Sequence, residues 1–164
     1  MRVVGVDPGK NGAACLLFEA GRSNWPECLC VDIPNTEEGE IDGRAYRDLI
    51  RKWEPDFLYF ENVHAFIGQG VVAAGVFMRN VGILEGISVC EVDNCVRVTP
   101  KKWKTRFNLL HTMKADSRAL AMTLFPKSAD QFKRVKDHNR ADAALIAAYG
   151  ADRTDMIELP KYWD

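Results

Sequence analysis

Residues 3–14 read VVGVDPGKNGAA. The first residues are valine-rich and uncharged until Asp7, which is the composition of a buried strand. Pro8, Gly9, Lys10 and Asn11 then supply turn chemistry, and small and apolar residues resume from Gly12. The stretch therefore predicts a hairpin with strands over 2–7 and 12–18. An acid closing a buried strand is costly unless something compensates its charge, because a carboxylate is expensive to desolvate. Asp7 is thus the first residue whose place asks for a chemical explanation.

Outward from the hairpin, residues 27–33 read as a third strand that Pro34 ends. Ala45, Tyr46, Leu49, Ile50 and Trp53 fall at helical spacing over 43–53, and Glu54-Pro55 stops that helix. Residues 56–63, DFLYFENV, carry a continuous apolar run, the pattern of a strand covered on both faces. A long helix follows over 71–86, loaded with Ala73, Ala74, Gly75, Gly82 and Gly86, small residues suited to close packing on a sheet or a partner helix. Residues 88–92 and 95–98 read as strands, 100–107 as a basic turn or short helix, and 116–125 as a capped amphipathic helix. Residues 127–137 read as a polar loop, and 139–149 as an alanine-rich helix closed by Gly150. The order predicts one α/β domain over residues 1–164, an antiparallel meander followed by crossover units.

The bulk properties agree with one soluble domain: 164 residues, 47% hydrophobic and 27% charged. The longest uninterrupted apolar stretch, 71–78, is too short to cross a bilayer, and the chain opens on a strand instead of a signal peptide, so no membrane and a cytoplasmic location are expected. The five cysteines read as small, reduced, buried hydrophobes, since a zinc site built from Cys28, Cys30, Cys90 and Cys95 lacks a familiar ligand spacing. A net charge of -1 decides nothing about nucleic acid, but its distribution does. Residues 97–140 hold twelve cations against three anions, with Trp103, Phe107 and Phe132 interleaved.

Two further acids share the circumstances of Asp7. Glu61 ends the 56–63 strand after its apolar run. If that strand runs parallel beside the first, both carboxylates emerge on the edge where open α/β sheets place their sites. Asp142 is expected in the first turn of the last helix, flanked by alanines that permit close approach to the sheet, with the helix amino terminus partly offsetting its charge. Each acid alone has an architectural explanation as a turn, strand-end or helix-start residue. Three carboxylates within about 4 Å of one another would repel by several kcal/mol, so a cation is expected among them. Hard divalent ions with oxygen ligands, Mg2+ or Mn2+, suit that donor set and also bind phosphate.

With these residues identified, the chain resembles the RuvC-like Holliday junction resolvases of the RNase H-like superfamily, especially the small phage-type members. The matching stretches are VVGVDPGKNGAA, YFENV, GQGV with GILEGI, VTPKKWKTRFNL, LFP and DHNRADAALIAAYG, which together span most of the chain. The resemblance implies a five-stranded mixed sheet flanked by helices, a homodimer, and symmetric cutting of a four-way DNA junction with two Mg2+ or Mn2+ ions per active site. It maps the metal-binding, catalytic carboxylates onto Asp7, Glu61 and Asp142. For the fourth ligand the family commonly places Asp or His three or four residues before the last acid, where this chain has Asn139 and His138. Both share a helical face with Asp142 if the helix extends that far. Asn139 looks like an N-cap, which leaves His138 as the preferred ligand and Asp137 as a further candidate.

The expected DNA contacts are Lys10, Lys101, Lys102, Lys104, Arg106, Arg134, Lys136 and Arg140, with Phe66 and Gln69 in the loop that approaches the junction centre. Phe66 reads either as a wedge between bases or as packing beside the long helix, and Trp103 as a packing anchor more than a stacking platform. The 71–86 helix holds more apolar surface than one sheet face requires, which makes it the expected dimer surface. Two other functions use the same residues: an RNase H-type nuclease acting on RNA–DNA hybrid or another substrate, and a noncatalytic junction-binding module.

Overall fold

The computed structural model describes residues 1–19, 26–66 and 68–159. Its strands are β1 (Arg2–Asp7), β2 (Ala13–Phe18), β3 (Glu27–Asp32), β4 (Phe57–Glu61) and β5 (Cys95–Val98). Its helices are α1 (Gly43–Trp53), α2 (Val71–Glu91), α3 (Pro100–Arg106), α4 (Lys114–Leu124) and α5 (His138–Arg153). The strands form one mixed sheet in the order β3-β2-β1-β4-β5. The β1–β2 and β2–β3 pairs are antiparallel and the β1–β4 and β4–β5 pairs parallel, so the meander and the crossovers both form as expected.

Side-chain alternation along the strands divides the core into two layers. Val4, Val6, Leu16, Leu58 and Phe60 pack with Tyr46, Ile50, Trp53 and Leu84 under α1 and α2. Val3, Cys15, Leu17 and Tyr59 pack on the other face with Trp103, Phe132 and the alanines of α5. Gly5, at the centre of β1, makes this second packing possible. A Cβ there would lie 2.3 Å from the Ala143 carbonyl oxygen and the Ala147 amide nitrogen. Only glycine lets α5 lie directly on the sheet. Gly150 serves the same contact from the helix side, since a Cβ there would meet the Tyr59 ring at 2.2 Å. It therefore lies inside α5, which runs on to Arg153, and does not close the helix at residue 149 as expected.

The expected strand over 88–92 does not form, because α2 continues through Glu91. The Ser88 hydroxyl is buried on α1, within 2.8 Å of both the Tyr46 hydroxyl and the Leu84 carbonyl, and Arg51 of α1 holds Glu91 at 2.7 Å. Tertiary contacts with α1 override the strand-like Ile87-Ser88-Val89 composition. The expected loop over 127–137 is two short 3-10 segments, Pro126–Phe132 and Val135–Asp137, with Phe132 fully buried. From the first of them, Ser128 and Gln131 hydrogen-bond the Cys28 and Cys30 backbone of β3, closing a sheet edge that would otherwise be open to pairing.

Gly75, Gly82 and Gly86 of α2 face open space and are not pressed on the sheet. Val71 and Val72 are 88% and 81% exposed on the same helix. At 21 residues and a mean hydropathy of 1.4, α2 has the length and apolarity of a bilayer span, unlike the 71–78 stretch taken alone. Its Asn80 and Ser88 are buried in the fold, and its Arg79 and Glu85 pair with Glu40 and Arg97.

Candidate active site

Parallel pairing sets Val6 beside Phe60, so the next residues, Asp7 and Glu61, reach the carboxyl edge of the sheet together. Alternation turns both toward the layer under α5, the face of Gly5 and Tyr59. Asp142 enters from α5. The fold thus brings the three acids near enough for their charges to couple. Asp7 is held well above the ordinary carboxylate range, first by burial and then by the charges of Glu61 and Asp142. Burial also raises Glu61, with Asp142 adding to the rise and the Trp103 hydrogen bond opposing it. Asp142 is raised by burial and eased by the Ser117 hydroxyl and by Lys104, His138 and Lys114.

The three carboxylates are more widely spread than the expected 4 Å. Among the described residues, the trio of His, Cys, Asp or Glu donor atoms all within 4.8 Å of one another is Cys15, Cys28 and Cys30. The donor set nevertheless fits cations. Asp142 Oδ1 is buried without a hydrogen-bond partner. A desolvated carboxylate oxygen with no donor is expensive, and hard divalent ions with oxygen ligands supply what it lacks.

The segment before Asp142 differs from expectation. Because α5 begins at His138, Asp142 lies one full turn inside the helix, beyond the reach of the terminal N–H groups expected to ease its charge. Asn139 is not the N-cap, since it is already helical and its amide donates to the Asn11 carbonyl, tying α5 to the turn after Asp7. Asp137 is buried and engaged by the Arg134 guanidinium at 2.8 Å and the Arg134 backbone N–H at 2.8 Å. His138 Nδ1 lies 3.2 Å from the Val135 carbonyl, an acceptor only, so that bond requires the proton on Nδ1. Nε2 is then an acceptor, and Lys114 Nζ donates to it at 2.9 Å.

Trp103 is fully buried, as a packing anchor should be, and its Nε1 donates to Glu61 Oε1 at 2.8 Å. This orienting bond, the Ser117 contact to Asp142 and the Lys114 contact to His138 are site features that sequence reasoning missed. Lys114 carried a signal as one of the clustered cations; Ser117 carried none. Lys104 lies 5.2 Å from the centre of the Trp103 ring, and its charge reaches all three acids.

Phe66 is 70% exposed, which removes the expectation that it packs beside the long helix. The Gln69 side-chain Oε1 in the same loop is buried without a partner. Lys10, Lys101, Lys102 and Lys136 are exposed. The arginines are more occupied: Arg106 pairs with Asp152, Arg134 with Asp137 and Arg140 with Asp32. Two open clefts flank the Lys10–Asn11 turn, one of about 520 Å³ reaching Asp7, Phe77 and Asn80, the other of about 390 Å³ reaching Lys136 and His138.

No protein-family model matches the sequence, and no curated protein is similar to it. Solved structures are similar in fold. The chain is similar to Thermus thermophilus RuvC with a TM-score of 0.63 at 15% identity, over 94% of this chain and 97% of that one. It is similar to the fowlpox virus Holliday junction resolvase with a TM-score of 0.57 at 16% identity, over 94% and 99%. Against the yeast mitochondrial Holliday junction resolvase the TM-score is 0.52 at 16% identity, over 89% and 75%. With a mixed five-stranded sheet, flanking helices on both faces and near full-length overlap, the chain has the RNase H-like fold of the RuvC-like Holliday junction resolvases.

Proposed function

We propose that this chain is a structure-selective endonuclease that resolves four-way and branched DNA junctions by metal-dependent phosphodiester hydrolysis, acting as a homodimer in the cytoplasm. The observation that carries the reading is the partnerless Asp142 Oδ1 beside the mutually repelling Asp7 and Glu61, at the carboxyl edge of a sheet of this fold. The T. thermophilus RuvC and fowlpox virus proteins have both been solved with Holliday junction DNA, which supports the substrate class. Asp7, Glu61, Asp142 and His138 would hold the divalent ions, Mg2+ or Mn2+ at two per site, and these would supply Lewis acidity for phosphodiester hydrolysis.

The remaining parts belong to the chain itself. Trp103 fixes the rotamer of Glu61 through its indole N–H. The Val135 carbonyl holds the His138 tautomer that leaves the Nε2 lone pair free of a proton, and a metal ion would take the place there of the Lys114 ammonium. Lys104 and Lys114 offset negative charge around the acids and around an incoming phosphate. Exposed Lys10, Lys101, Lys102 and Lys136 contact the DNA backbone, and Phe66, standing free of the core, stacks at the crossover. The exposed valines and open glycines of α2 form the dimer surface.

The test offers labelled four-way junction, RNA–DNA hybrid and linear duplex to wild type and Asp7→Asn, with and without Mg2+. Paired incisions in the junction, dependent on metal and lost in Asp7→Asn while junction binding persists, are expected. Preferential cutting of the hybrid would reassign the protein as an RNase H-type enzyme, and binding without incision would reassign it as a noncatalytic module.

A further inference from the structure

Beneath α5 three sulfur atoms meet. Alternation along β3 puts Cys28 and Cys30 on one face, and the β2–β3 register sets Cys15 directly opposite Cys30. The three Sγ atoms all lie within 4.8 Å of one another, and the residues are 0%, 4% and 6% exposed for Cys15, Cys28 and Cys30. This is not the quartet considered from sequence. Cys90 is exposed and Cys95 packs with the opposite layer, while Cys15 joins the pair from β3.

Within the apolar layer under α5, two polar groups reach the sulfurs of the trio. The Gln131 side-chain amide nitrogen lies 4.0 Å from Cys28 Sγ. The Cys30 thiol faces the Arg140 carbonyl oxygen at 3.7 Å. Three sulfurs bound to one ion by bonds of about 2.3 Å stand roughly 4 Å apart, a spacing that a trio already within 4.8 Å reaches with little movement.

We propose that Cys15, Cys28 and Cys30 form a thiolate site for one soft divalent cation of the Zn2+ class, separate from the carboxylate site. Binding replaces S–H bonds by S–metal bonds and releases the thiol protons to solvent, with no change of oxidation state. Sulfur donors favour such ions over Mg2+, so the two sites sort their cations by softness. The bound ion cross-links β2 to the edge strand β3 under α5, where the Arg140–Asp32 pair, at 2.5 Å, already ties α5 to β3.

The test uses the reduced full-length protein with Co2+ as a spectroscopic probe. Sulfur-to-cobalt charge-transfer absorption arises only from thiolate ligands, so the carboxylate site is silent in it. One equivalent of Co2+ per chain is expected to develop the band and one equivalent of Zn2+ to bleach it. The band is expected to persist in Cys90→Ser/Cys95→Ser and in Asp7→Asn and to vanish in Cys28→Ala. Absence of the band in wild type, where folding of a variant is not in question, overturns the proposal, as does a band lost in Cys90→Ser/Cys95→Ser. One free thiol instead of three in Cys90→Ser/Cys95→Ser as purified would assign the cluster to a disulfide and also overturn it.

Discussion

Asp7, Glu61 and Asp142 pull in one direction: each has its carboxyl raised, and burial is the leading cause for all three. A native-state value above the unfolded one means that the charged form is disfavoured on folding, so these groups destabilise the metal-free protein at neutral pH. As pH falls through the raised native values toward about 4, the unfolded reference, that penalty is relieved and the metal-free fold gains stability. Thermal denaturation in EDTA is therefore expected to give a higher Tm at pH 5 than at pH 7. Asp7→Asn should raise the neutral-pH value, at roughly 2–4 °C for each kcal/mol relieved, while abolishing cleavage. A lower Tm for Asp7→Asn would mean that its carboxylate is a structural acceptor. The donor of Glu61 gives the second residue-scale expectation. Trp103→Phe keeps the buried ring but removes the indole N–H, so single-turnover cleavage should fall about 10–100-fold while circular dichroism stays native. The acids were legible in the sequence because each interrupts an apolar or alanine-rich run. The Trp103 bond was not, because it joins residues 42 positions apart through the docking of α3.

At the scale of elements, local pattern was legible wherever one period dominated, as in α1, whose bounds coincide with those expected. It failed where tertiary contacts decided the outcome. The end of α2 has strand-like composition but is held helical by the Ser88 and Glu91 contacts to α1, and α5 runs past Gly150 because that glycine is needed against Tyr59. The same helix, α2, shows what the fold leaves unfinished. Val71, Val72 and Val76 are exposed, and its glycines open onto space, so a second α2 can approach closely there. Val72→Glu adds a charge at a position with almost no intramolecular packing and should leave the monomer folded. Sedimentation at micromolar concentration is expected to show a dimer for wild type and a monomer for Val72→Glu. A wild-type monomer would remove α2 as the dimer surface.

Across the whole molecule the question is which charges reach DNA. Net charge was uninformative, and the surplus of cations over 97–140 overstated the case. Arg97, Arg106 and Arg140 are matched by Glu85, Asp152 and Asp32, acids that lie outside that segment and cannot be paired with it by inspection of the sequence. Lys101 and Lys102 stay exposed on α3, whose Trp103 reaches Glu61, and Lys10 and Lys136 stay exposed beside the clefts. Each phosphate contact on duplex DNA contributes about 0.9 to the slope of log affinity against log salt. Lys101→Ala/Lys102→Ala should therefore lower that slope by about 1.8 on junctions of any sequence, without changing where the strands are cut. Arg140→Ala should leave the slope nearly unchanged and lower thermal stability instead, because its guanidinium holds Asp32 and so joins α5 to the edge of the sheet. Binding isotherms at several salt concentrations distinguish the two effects, and a full unit of slope lost in Arg140→Ala would place that arginine on DNA.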